Sequence, residues 1–218
     1  MTQTIFDRIA MLGVVPVIAI DRADQALALA DALLEGGLPV AEITFRTAAA
    51  GEVIATLAGA RPELITGAGT ILTPANLAAA QGAGARFGLA PGFDPRIAAA
   101  AREIDMPFAP GVMTPSELSL AIAEGLSLFK FFPAQAAGGP SMLSAISAPF
   151  AHLKPRFIPT GGVSLANMGE WLSLPAVAAV GGTWIATRED IANGDFAAIT
   201  AKAREAVATA ARLREDHA

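Results

Sequence analysis

The stretch Pro107-Phe-Ala-Pro-Gly-Val-Met-Thr-Pro-Ser-Glu-Leu-Ser-Leu-Ala-Ile-Ala-Glu-Gly-Leu-Ser-Leu-Phe-Lys-Phe-Phe132 decides the fold. It opens with a short strand, Pro107 to Val112, and closes with another, Leu126 to Phe132, each rich in Val or Phe. Between them Thr114 and Pro115 mark a helix start. The threonine hydroxyl caps a free N–H, the proline has no N–H to leave unpaired, and Glu117 completes a capping box with Thr114. Ala, Leu and Glu dominate Ser116 to Glu124, and Gly125 stands where the helix should stop. The same alternation runs outward in both directions. Strands are expected at Val14 to Ile20, Val40 to Arg46, Leu64 to Thr70, Arg86 to Gly92, Arg156 to Gly162 and Val177 to Trp184. Thr73-Pro74 and Asp94-Pro95 repeat the start signal, Asp24 to Glu35 and Pro74 to Gln81 suit helices, and Gly36-Gly37 marks a helix end. Eight strand-helix units in 218 residues predict an α/β chain folded as a (β/α)8 TIM barrel; a doubly wound open sheet is the alternative. With no linker, charge run or low-complexity tract, residues 1–218 read as one barrel domain, with Thr2 to Met11 an extra N-terminal helix placed to close the bottom.

Composition removes most catalytic chemistries. The chain has no Cys and no Tyr, two distant His (His152 and His217), and only three lysines: Lys130, Lys154 and Lys202. Disulfides, thiol nucleophiles, Cys-ligated metals and a His-rich metal centre are excluded or disfavoured, so neither a metal nor a cofactor is expected. A 53% hydrophobic content raises the question of membrane spans, but the longest uncharged stretches, Leu64 to Ala85, Phe131 to Leu153 and Trp171 to Thr187, are each broken by Gly and Pro. Met11 to Ile20 is a poor signal peptide, because Asp7 cancels Arg8, Pro16 interrupts the run and Asp21 follows it. A cytoplasmic protein is expected. A net charge of -5 with no basic cluster argues against nucleic acid or an anionic membrane as partner.

Side-chain alternation locates the remaining candidates. In Val40 to Arg46, Ala41, Ile43 and Phe45 suit a helical layer outside the barrel, which turns Glu42, Thr44 and Arg46 inward. Glu42 and Arg46 then lie about 13 Å apart along the strand. Barrel interiors are filled by branched apolar side chains, so an inward carboxylate must be paired or functional. A structural ion pair is the plainer reading. Arg46, at the carboxyl end of its strand, suits an anion ligand. In Leu126 to Phe132 the same rule turns Lys130 inward between Leu128 and Phe132. A free lysine has a pKa of about 10.4 and is neutral in roughly one molecule in 2,500 at pH 7; apolar surroundings and a nearby cation disfavour the ammonium and yield a nucleophile. Lys154 and Lys202 read as solvated surface residues, and His152 as a loop residue. Pro159-Thr-Gly-Gly162 and Gly181-Gly-Thr-Trp184 carry paired glycines after the last two strands, where such barrels often bind phosphate, with Ser164 and Thr183 as hydroxyl donors. Thr70 offers a hydroxyl at the barrel mouth. An inward amine, an inward carboxylate, an arginine at the mouth and a phosphate cradle are the parts needed to cleave a phosphorylated 2-oxo acid through an imine.

Glu42-Ile-Thr-Phe-Arg-Thr47, Gly67-Ala-Gly-Thr-Ile-Leu72, Phe129-Lys-Phe-Phe-Pro-Ala134, Pro159-Thr-Gly-Gly162 and Gly181-Gly-Thr-Trp184 together resemble the motifs of the bacterial 2-keto-3-deoxy-6-phosphogluconate (KDPG) aldolases, in order and across nearly the whole chain. The resemblance implies a class I aldolase of the Entner-Doudoroff route, yielding pyruvate and glyceraldehyde 3-phosphate, and a homotrimer of barrels. It implies Lys130 as the Schiff-base residue and Glu42 as general acid/base working through a water. Arg46 and Thr70 would hold the pyruvate carboxylate, Thr160 would lie close to the substrate, and Gly161, Gly162 and Thr183 would bind the phosphate. Two positions depart from the pattern: Gln135 stands where the family often has Glu, and Thr183 where Ser is commoner. Within the same family, 4-hydroxy-2-oxoglutarate and phosphogalactonate aldolases are the alternatives. A phosphosugar isomerase or epimerase would use Glu42 but not Lys130, and a silent scaffold barrel would use neither.

Overall fold

The computed structural model describes residues 4–215. Nine short parallel strands are present among them: β1 (Val14–Ile18), β2 (Val40–Thr44), β3 (Ile65–Gly69), β4 (Gly88–Leu89), β5 (Phe108–Ala109), β6 (Gly111–Val112), β7 (Leu128–Phe131), β8 (Arg156–Pro159) and β9 (Val180–Gly182). They form a six-stranded sheet in the order β5-β4-β3-β2-β1-β9 and a three-stranded sheet β6-β7-β8. Glu42 of β2 and Lys130 of β7 meet across 2.9 Å although they belong to different sheets, so the two sheets curl around a common interior. On one flank parallel bridges join Phe157 to Val177 and Thr160 to Gly181. On the other, β5 and β6 are separated only by Pro110, whose carbonyl still accepts from the Lys130 N–H at 2.8 Å. The expected fifth strand is therefore two pieces, because a proline has no N–H to give to a ladder.

Each strand is shorter than its apolar run, mostly at the carboxyl end. β2 stops at Thr44, two residues before Arg46, and β4 keeps only Gly88–Leu89 of the run Arg86 to Gly92. The residues shed from the ladders form the turns that carry the site. The helices that return the chain are α2 (Ala26–Glu35), α3 (Ala50–Ala60), α4 (Pro74–Gly82), α5 (Pro95–Glu103), α6 (Pro115–Ala123), α7 (Gly139–Ser147), α8 (Met168–Leu172), α9 (Arg188–Asn193) and α10 (Phe196–Glu215), preceded by α1 (Ile5–Leu12). Their starts follow the expected chemistry. Thr73, Asp94 and Thr114 each accept an N–H of the first turn ahead of a proline, and Glu117 closes the capping box. α10 packs on α2, where the Thr200 hydroxyl donates to the Ala32 carbonyl and Gly36 leaves room for Ala203.

Strands covered on both faces read as near-continuous apolar runs, and every residue of β1, β2, β3 and β7 is buried. Inside, the Phe87 ring occupies the space into which a side chain at Gly67 would project. Phe6 of α1 meets that ring edge-on, with centroids 6.1 Å apart, and Asp7 accepts from Arg156 of β8. α1 is capped by Thr4; Thr2, part of the expected first helix, and His217 lie outside the described residues. Among the described residues no helix is long and apolar enough to cross a membrane. Lys154 is exposed, whereas Lys202, expected as a solvated residue, donates to Asp190 at 2.6 Å and is only partly exposed.

Candidate active site

Period-two alternation on β2 and β7 brings the two inward charges together. Lys130 Nζ donates to Glu42 Oε1 at 2.9 Å, with Lys130 5% and Glu42 1% exposed. Removing such ions from water costs several kcal/mol each, and well-packed apolar residues of similar volume generally serve stability as well or better. Stability alone therefore does not account for the pair. Gly69 of β3 is what admits the carboxylate, since a Cβ there would overlap Glu42 Oε1. On the open side of Lys130 the Phe132 ring lies with its centroid 5.9 Å from Nζ, close enough to stabilise a cation.

Above this floor is a cavity of about 220 Å³. Seven of the eight expected site residues line it: Arg46, Thr70, Lys130, Thr160, Gly161, Gly162 and Thr183. The eighth, Glu42, is reached through Lys130. They arrive from the carboxyl ends of β2, β3, β7, β8 and β9, the end at which barrel enzymes carry their sites. Thr70 has φ +59°, a left-handed conformation uncommon for a β-branched residue and one that costs of order 1–3 kcal/mol. Such strain persists where the surrounding structure enforces it, here directly against the cavity.

The glycine pairs divide their work. Gly161 (φ +97°) and Gly162 (φ +78°) form a left-handed turn after β8. Asn167 holds it, donating from Nδ2 to the Gly162 carbonyl at 2.9 Å and accepting the Ser164 N–H at 2.8 Å. Consecutive N–H groups in such a turn form a concave anion site. Gly181, by contrast, makes room for the Thr160 side chain, and Gly182 for the Trp184 indole. Ser164, read as a hydroxyl donor, is not part of the cavity lining.

The arginines differ in their partners. Arg22, Arg96 and Arg188 are each bonded to a carboxylate, Asp24, Asp94 and Asp21 respectively, and these hydrogen bonds hold the three aspartates below the usual carboxylate range. Arg46 has no carboxylate partner among the described residues; its Nε donates to the Thr44 hydroxyl at 3.2 Å. Its positive charge is available to an anion. Val17, Thr44, Pro91, Phe132, Val163 and Gly182 complete the cavity and were not among the expected site residues. For Thr44 a signal existed, since it shares the parity of Glu42 on β2; Val17 is set opposite Glu42 only by the pairing of β1 with β2.

A buried amine with a carboxylate against it, an arginine with no carboxylate partner among the described residues and a left-handed glycine turn stand around one cavity, and these are the parts an imine-forming aldolase needs. Residues 5–202 match the family model of the KDPG and KHG aldolases. The chain belongs to this family. It is 47% identical over 197 residues to the 2-dehydro-3-deoxy-phosphogluconate aldolase of Dickeya dadantii, covering 90% of this chain and 92% of that one. It is 45% identical over 194 residues to the KHG/KDPG aldolase of Escherichia coli strain K12, covering 89% and 90% respectively. Among solved structures, the KDPG aldolase of Legionella pneumophila, captured with pyruvate as a covalent carbinolamine intermediate, superposes with a TM-score of 0.88 at 40% identity, covering 93% of this chain and 98% of that one. The chain is thus a carbon-carbon lyase of the class I pyruvate aldolase type.

Proposed function

We infer that this aldolase cleaves KDPG to pyruvate and glyceraldehyde 3-phosphate through a Schiff base on Lys130. The observation that carries the reading is the buried contact of Lys130 with Glu42 at the foot of the cavity. Glu42 takes a proton from the ammonium, and the neutral amine adds to the C2 carbonyl to give a carbinolamine. Loss of water, with the proton returned by Glu42, leaves an iminium ion. Glu42, through a water molecule, then removes the C4 hydroxyl proton as the C3–C4 bond breaks. The electron pair flows to the iminium nitrogen, so the aldehyde leaves and an enamine remains. Protonation at C3 and addition of water release pyruvate and restore the amine. The imine nitrogen is the electron sink, so the sequence of steps calls for no cofactor.

Arg46 and Thr70 hold the substrate carboxylate in this reading, supported by the unpaired guanidinium at the rim and the enforced conformation of Thr70. Thr160 lies beside the reacting carbons, and Gly161, Gly162 and Thr183 receive the phosphate. We further take the two sheets to close into one (β/α)8 barrel with α1 across its base, supported by the bridges at Val177 and Gly181 and by Phe6 against Phe87. Residues 1–218 form one domain in this reading. Homotrimeric assembly is carried over from the family resemblance, and a cytoplasmic location is proposed from the composition.

The phosphate assignment is tested by comparing kcat/KM for KDPG with that for its unphosphorylated counterpart. Two charge-assisted hydrogen bonds, at the low end of about 1.5 kcal/mol each, predict a preference of at least roughly a hundredfold for the phosphorylated acid. Equal efficiency would refute the assignment.

A further inference from the structure

Arg46 presents a problem of positioning. It is exposed, stands two residues beyond the end of β2, and has no carboxylate partner among the described residues. A long cationic side chain in that situation samples many rotamers, and a carboxylate ligand would have to order it on every binding event. One contact limits that freedom: Arg46 Nε donates to Thr44 Oγ1 at 3.2 Å. Thr44 is itself 1% exposed, and its hydroxyl donates to the Ile18 carbonyl of β1 at 2.9 Å. A hydroxyl has a single proton, so the bond to Ile18 fixes it and turns a lone pair toward the guanidinium. Thr44 also shares the inward side of β2 with Glu42, so one strand carries the carboxylate beneath the cavity and the hydroxyl that ties its rim arginine.

We propose that Thr44 is a positioning residue for the 2-oxo acid carboxylate, acting through Arg46: the chain Ile18 carbonyl, Thr44 hydroxyl, Arg46 Nε holds the guanidinium over the cavity before substrate arrives. The proposal rests on the assignment of Arg46 to the carboxylate. A hydroxyl present only to satisfy the Ile18 carbonyl would leave substrate affinity unaltered when removed.

The test is borohydride trapping of the full-length protein across a pyruvate titration, which separates half-saturation from the limiting trapping rate. Thr44→Val should raise the half-saturating pyruvate concentration about five- to tenfold and leave the limiting rate within twofold. Thr44→Ser, which keeps the hydroxyl, should stay within twofold of the parent in both. In an Arg46→Gln background Thr44→Val should add nothing, because the arginine it acts through is gone. An unchanged half-saturation in Thr44→Val, a fall confined to the limiting rate, or an additive effect in the double variant would overturn the proposal. If Arg46→Gln alone leaves half-saturation unchanged, the carboxylate assignment fails and takes the proposal with it; if Arg46→Gln raises it and Thr44→Val does not, only the role of Thr44 fails. Should Thr44→Val not fold, Thr44→Ala removes the same hydroxyl with less bulk beside Ile18 and is held to the same limits.

Discussion

Replacing Lys130 by Met should reduce kcat for KDPG cleavage by about four orders of magnitude or more, because the covalent path is lost and no other side chain in the cavity is an amine. Steady-state kinetics at high enzyme concentration reads this directly. Met keeps the length and apolar stem of lysine, so the loss reports chemistry more than packing. It also strands the Glu42 carboxylate, which has Lys130 as its salt-bridge partner and is 1% exposed. Removing one member of a buried pair typically costs about 3–5 kcal/mol, so the variant should unfold at markedly lower denaturant. Adding Glu42→Gln removes the stranded charge. The double variant should recover much of the stability and none of the activity. Residual turnover above one part in a hundred in Lys130→Met would be incompatible with an obligatory imine on this residue.

The second large effect is expected at a residue with no functional group. Gly69→Ala places a Cβ on Glu42 Oε1, and the neighbouring atoms Cδ and Cγ are also too close for the side chain to swing aside cheaply. The carboxylate must move away from Lys130 or β3 must shift. A displacement of this kind at a proton-transfer group costs on the order of a hundredfold in kcat, and overpacking of this core costs about 1–3 kcal/mol. Gly59→Ala is the control. Gly59 lies within α3, a Cβ there meets nothing within 4 Å, and the substitution should stabilise the protein by about 0.5–1 kcal/mol without touching turnover. A Gly69→Ala variant with parental kcat and stability would mean that Glu42 does not need the place it occupies.

Much of this site could be read from alternation alone. On β2 and β7 the apolar residues of one parity had to face helices, which turned Glu42 and Lys130 inward. The structure brings those two within 2.9 Å although they are 88 residues apart in the chain. Helix starts were equally legible, since a capping side chain ahead of a proline is a local signal, as at Thr73, Asp94 and Thr114. What escaped was set by distant backbone. The hydroxyl of Thr44 finds the Ile18 carbonyl across the sheet, and the Asn167 amide reaches back to Gly162; neither side chain announces its partner in the sequence. Lys202 looked like a solvated helix residue because Asp190, at the capping box of the preceding helix, is reached only once α9 and α10 fold back on each other. The break of the fifth strand at Pro110 was visible as a residue but not as a consequence, because a single proline at a strand edge is tolerated.

Reduction with borohydride in the presence of pyruvate, followed by peptide mass spectrometry, tests the central claim most directly. If Lys130 forms the imine, the protein will lose activity irreversibly and carry one pyruvate-derived adduct, located on the Phe129-Lys-Phe131 segment, with Lys154 and Lys202 unmodified. Absence of that adduct, or its appearance on either of the other two lysines, would contradict the assignment.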